Sequence, residues 1–128
     1  MKEKVVSISA DDTLRIVGEI MQLGHVRHLP VVRQGQLVGV VSQRDLLRAS
    51  LSNVMGLPQD EQSRFLEGVR ISDVMTAPPI SVSPDLSVRA AAGVMAEKKI
   101  GCLPVVADGT LLGIVTETDV LSYFASQA

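Results

Sequence analysis

Two short segments carry a hydroxyl and a carboxylate at one spacing: Ser42-Gln-Arg-Asp45 and Thr116-Glu-Thr-Asp119. Each stands where an apolar, strand-like run gives way to a helix-like one, so the pair falls at a strand-to-helix junction. A carboxylate there can accept charge-assisted hydrogen bonds from both hydroxyls of a ribose. A hydroxyl one helical turn earlier can donate to a phosphate oxygen. The unbonded N–H groups of a helix start and the helix dipole favour the same anion. One chemistry open to such a turn is recognition of a nucleoside phosphate. The same spacing also writes a capping box, in which the hydroxyl serves a backbone N–H of its own helix. Both readings stand, and one hydroxyl can serve both ends.

A repeat positions these residues. Pro30 and Pro104 lie 74 positions apart, and the same offset pairs Ser7 with Ser81, Asp11 with Asp85, Arg15 with Arg89, Gly39 with Gly113 and Asp45 with Asp119. From position 6 to 48 the register needs no gap. Each copy reads as strand–helix–strand–strand–helix. Val5–Ile8 and Ile80–Val82 are predicted as the opening strands, and Thr13–Leu23 and Ser87–Lys98 as helices with apolar residues at helical spacing. Thr13 and Ser87 stand at N-cap positions. Leu29–Val32 and Leu37–Val41 flank a turn at Gly35; Leu103–Val106 and Leu111–Val115 flank Asp108-Gly109, the stronger hairpin signal. A last helix starts near Asp45 or Asp119. The chain divides into residues 1–56 as repeat one, 57–72 as linker helix and lead-in, and 73–128 as repeat two. Gln59–Glu67 reads as an exposed helix with Phe65 and Leu66 free to pack.

Composition excludes several functions. A net charge of −2 gives no general attraction to nucleic acid, and aromatics at 2% offer no platform for stacking bases. No run approaches the ~20 apolar residues that span a bilayer. Met1–Lys4 and the short apolar run behind it do not form a signal peptide. Cys102 is the single cysteine, so no internal disulfide forms, and a reducing, cytoplasmic setting fits. His25 and His28 lack a third metal ligand. There is no nucleophile elbow, Walker loop or catalytic Cys/His arrangement, so no catalytic residues and no enzyme are expected.

With Leu-Pro-Val-Val at 29–32 and 103–106, and the endings Gly39-Val-Val-Ser-Gln-Arg-Asp45 and Gly113-Ile-Val-Thr-Glu-Thr-Asp119, the chain resembles a tandem pair of cystathionine-β-synthase-type (CBS) domains, a Bateman module. Ile71-Ser-Asp-Val-Met-Thr76 resembles the lead-in usual before such a repeat; only Met1–Lys4 precede Val5 in repeat one. The resemblance spans nearly the whole chain. It implies an α+β (mixed α/β) fold of two β-α-β-β-α repeats packed with pseudo-two-fold symmetry. It further implies two clefts between the repeats that take AMP, ADP, ATP or S-adenosylmethionine as regulatory ligand, with no required cofactor. A disc-like homodimer and control of an attached or partner enzyme or transporter complete the expectation. The alternative is a structural dimerisation module with ligand-free clefts.

On that resemblance the ligand residues are Asp45 and Asp119 for ribose and Ser42 and Thr116 for phosphate. Ser7, Ile8 and Val41, with Ser81 and Val82 in the other copy, are expected to line the adenine slots. The positions before the proline and before the aspartate can face phosphates in this family, which points to Arg27, His28 and Arg44. Repeat two has Gly101, Cys102 and Thr118 there, with Glu117 inside its motif. Residues 5–50 hold five arginines against four acids, and residues 80–124 hold three bases against five acids. The expectation is therefore asymmetric: a phosphorylated ligand at Asp45, and at Asp119 nothing or a less anionic one. Cys102 reads as a small core residue, with a ligand-facing thiol as the other possibility.

Overall fold

The computed structural model describes residues 6–54 and 56–127. The chain divides into two units, residues 6–78 and the residues from 79 onward. No helix among the described residues is long and apolar enough to cross a membrane.

In the first unit the order is β1 (Ile8–Ser9), α1 (Leu14–Gly24), β2 (His28–Arg33), β3 (Gln36–Ser42), α2 (Gln43–Val54) and α3 (Gln59–Gly68). β1 runs parallel to β2, and β2 antiparallel to β3. Thr13 Oγ1 accepts from the Ile16 N–H at 3.3 Å, so the expected cap on α1 is formed. Along β2 and β3, Leu29, Val31 and Val41 share one sheet face and are buried with Ile8, Leu14, Val17 and Met21 of β1 and α1. α3 packs on α1 and α2, with Leu66 against this core.

Residues 69–76 are built into this unit. The Leu14 N–H donates to the Val69 carbonyl at 2.9 Å, Ile71 N–H to Asp12 O at 2.8 Å, and Ser72 N–H to Ala10 O at 3.0 Å. Ile71 is fully buried in the first core. Val40 and Thr76 then form an antiparallel bridge.

The second unit repeats the plan with α4 (Val88–Lys98), β4 (Cys102–Ala107), β5 (Thr110–Thr116) and α5 (Glu117–Ala125). Ser87 caps α4 through a 3.1 Å bond from the Ala90 N–H. Its core of Ala91, Met95 and Leu103 matches Val17, Met21 and Leu29 at the 74-residue offset. Both hairpins close through two residues with positive φ, Gln34-Gly35 and Asp108-Gly109, the geometry of a type I′ turn.

The opening strands differ from expectation. β1 starts at Ile8, not Val5 (which lies outside the described residues), and Ile80–Val82 is reduced to one bridge between Val82 and Val105. The Leu-Pro-Val-Val proline explains this. Val82 N–H donates to Pro104 O at 3.0 Å, and Val82 O accepts from the Val106 N–H at 2.9 Å. Continuing the parallel ladder two residues earlier would need an N–H on Pro104, which proline lacks. Ile8 faces Val31 in the same register, with Pro30 beside it. Apolar composition suggested strands here, but the partner strand had no donor to extend them.

Candidate functional site

Ser42 ends β3 and caps α2. Its N–H donates to Asp45 Oδ2 at 2.8 Å, and the Asp45 N–H donates back to Ser42 Oγ at 3.1 Å. This is the capping box of the sequence reading. A second tie comes from the neighbouring strand: the Gln43 N–H donates to the Arg27 carbonyl at 2.8 Å. Helix starts leave N–H groups without intrahelical partners. Here Ser42, Gln43 and Asp45 are satisfied, and the Arg44 N–H has no acceptor among the described residues. The anion-binding capacity of the helix start is thus narrower than orphan-donor counting suggests.

The same bonds gather the candidate residues of repeat one. The Gln43–Arg27 bond holds Arg27 at the helix entrance, and His28 lies directly opposite Ser42 in the β2–β3 register, on the same sheet face. Arg44 occupies the second position of α2. Arg27 and Arg44 are exposed; His28, Ser42 and Asp45 are half-buried. Thr76, not singled out in the sequence, faces Val40 and so shares the face of Ser42 and His28. Its signal lay in the lead-in motif, but pairing with β3 is non-local and leaves no periodicity to read. Ser7 is exposed, whereas Ile8 and Val41 are buried in the first core at 3% and 0% exposure. What those two can offer a ligand is backbone. In repeat two, Ser81 is exposed and Val82 half-buried.

The second turn has the same frame. Thr116 N–H donates to Asp119 Oδ2 at 2.9 Å, Asp119 N–H to Thr116 Oγ1 at 3.3 Å, and Glu117 N–H to Gly101 O at 3.1 Å. One contact differs. Thr116 Oγ1 also lies 3.1 Å from Asp119 Oδ2, so its proton is directed to its own carboxylate. Ser42 Oγ has no such acceptor among the described residues. Cys102 stands opposite Thr116, buried at 5% exposure. Burial, then the negative charge of Glu117, pushes its thiol up to about 12. A thiol held neutral in the strand is a packing residue, not a nucleophile.

A family model described as "CBS domain" matches residues 1–52 and 71–126. The chain is 32% identical over 91% of its length to an inosine-5'-monophosphate dehydrogenase of Korarchaeum cryptofilum, but spans only 21% of that enzyme. It is 31% identical to the CBS domain-containing protein YhcV of Bacillus subtilis, covering 93% of this chain and 78% of YhcV. Among solved structures it is similar to the CBS domain pair of protein MJ0100 in complex with 5'-methylthioadenosine and S-adenosyl-L-methionine, with TM-score 0.83, 25% identity, and coverage of 100% of this chain and 94% of that one. It is also similar to CBSX2 in complex with AMP, with TM-score 0.80, 30% identity, and coverage of 98% and 91%.

Proposed function

The chain belongs to the CBS domain family, and from that premise we propose that it is a regulatory module binding an adenine nucleotide or related adenosyl compound. The Ser42–Asp45 turn is its site for a phosphorylated ligand. The observation that carries this reading is the contrast between two turns of one design. Among the described residues the first has no acceptor for its hydroxyl proton and none for the Arg44 N–H, and Arg27, His28 and Arg44 stand around it. The second directs its hydroxyl proton to its own carboxylate and has Glu117 and a buried neutral thiol beside it. AMP in one relative and S-adenosylmethionine in another match the two preferences. The Thr116–Asp119 turn would take adenosine or S-adenosylmethionine, or stay empty. Occupancy would pass, in a cytoplasmic homodimer, to a partner or attached enzyme or transporter; the dehydrogenase relative, far longer than this chain, supports such an arrangement.

The second reading, a structural dimerisation module, draws on both capping boxes being closed by their own residues. Thermal unfolding against AMP, ADP, ATP, adenosine and S-adenosylmethionine separates the two. At a hundred times its dissociation constant a ligand adds about 2.7 kcal/mol to the folded state. The melting temperature should then rise by several degrees. A midpoint unmoved by all five compounds favours the structural reading.

A further inference from the structure

Gly39 is buried in β3, yet its φ lies outside the left-handed region, so the backbone does not demand glycine there. Space does. A Cβ on residue 39 would stand 2.5 Å from Met75 Sδ, 3.0 Å from Met75 Cγ and 3.0 Å from the Thr76 carbonyl oxygen. Met75 therefore lies on the core side of β3, packed against the first cluster of buried residues. Thr76 closes two hydrogen bonds with Val40: its N–H donates to Val40 O at 2.8 Å, and its carbonyl accepts from the Val40 N–H at 3.1 Å. Val40 and Ser42 are two residues apart in one strand, which puts Thr76 on the side of the sheet that carries Ser42 and His28. The strap Val74–Thr76 thus extends the sheet beside the Ser42–Asp45 turn, and its seat is the absent Cβ three residues before Ser42.

We infer that Gly39 and Met75 form a positioning pair for the Ser42–Asp45 site, setting its affinity for a nucleotide by fixing the strap while neither residue touches the ligand. The inference rests on the reading of that turn as a nucleotide site. A methyl group at position 39 forces the Met75 side chain aside and presses the Thr76 carbonyl outward by a few tenths of an ångström, which loosens its bonds to Val40 beside Ser42. Shortening Met75 to alanine removes two of the three close contacts and lets the strap settle again.

AMP binding measured by calorimetry on the wild type, Gly39→Ala, Met75→Ala and the double variant tests this, with amide exchange at Thr76 reporting the strap. Gly39→Ala should weaken AMP by roughly fivefold or more, in the range of coupled contacting pairs, and speed exchange at Thr76 while β2 amides stay protected. The double variant should return to within about twofold of Met75→Ala, a rescue that general destabilisation does not produce. Gly39→Ala with wild-type affinity, or a double variant no tighter than Gly39→Ala, overturns the pair and leaves the site reading standing. If wild-type protein binds neither AMP, ADP, ATP nor S-adenosylmethionine, the site reading fails and the inference fails with it. Should Gly39→Ala not fold, Thr76→Pro deletes one strap hydrogen bond and keeps the glycine and methionine. Undiminished AMP binding by that variant is equally fatal.

Discussion

A carboxylate that caps its own helix can still hold a ligand, because each oxygen has two lone pairs and, among the described residues, only Oδ2 of Asp45 is engaged. Capping and ribose recognition are therefore separable by substitution. Asparagine at 45 keeps an amide oxygen for the Ser42 N–H but loses the charge that strengthens bonds to ribose hydroxyls. Asp45→Asn should weaken AMP by about tenfold or more with little change in melting. Asp45→Ala should also lose the bond from the Ser42 N–H, about 1 kcal/mol of stability, while the Ser42 hydroxyl keeps its backbone partner. Asp119→Ala should show that stability loss with AMP affinity unchanged; equal loss of AMP from both aspartates would remove the asymmetry. Cys102 makes a pH-dependent prediction. Burial and Glu117 raise its folded-state value from 9.0 to about 12, so the folded protein holds the proton more tightly than the unfolded chain. That stabilisation is complete below pH 9.0 and is lost as pH rises toward 12. Denaturant titrations across this range should show a steeper decline for the wild type than for Cys102→Ala, and parallel declines would mean the thiol is not buried as described.

At the scale of elements, local signals were legible and non-local ones were not. Thr13 and Ser87 cap their helices as the sequence indicated, since a capping hydroxyl needs only its own next turn. β1 is shorter than its apolar pattern implies because its length is decided by the donor missing at Pro30, on another strand. The strap was legible as a motif, but its seat on Gly39 was not. The hairpins show a third case. Asp108-Gly109 announces its turn, whereas Gln34-Gly35 adopts the same one with a glutamine at φ 52°. Glutamine gains nothing locally from the left-handed region, whereas asparagine tolerates it. Gln34→Asn should therefore stabilise the fold by about 0.5 kcal/mol, a rise of a few degrees in melting temperature. A lowered midpoint would show that residue 34 is held by something other than turn geometry.

At the scale of the molecule, the two repeats share one frame and differ in the residues placed on it. Repeat one has arginines at 27 and 44, and repeat two has Gly101 and Thr118 at the matching places with Glu117 beside them. The frames keep their shared bonds, Gln43 to Arg27 and Glu117 to Gly101, so the divergence lies in charge and not in backbone. An anionic ligand should consequently saturate at one per chain, at the Asp45 turn. ATP should lose more affinity than adenosine when salt is raised, because Arg27 and Arg44 are exposed and their attraction to phosphate is screened over ~8–10 Å. Calorimetry with ATP and adenosine at low and high salt reads both quantities. Two equivalent ATP sites per chain, or equal salt dependence for the two ligands, would mean that the second frame draws its cations from beyond its own turn and that local charge does not decide which site takes phosphate.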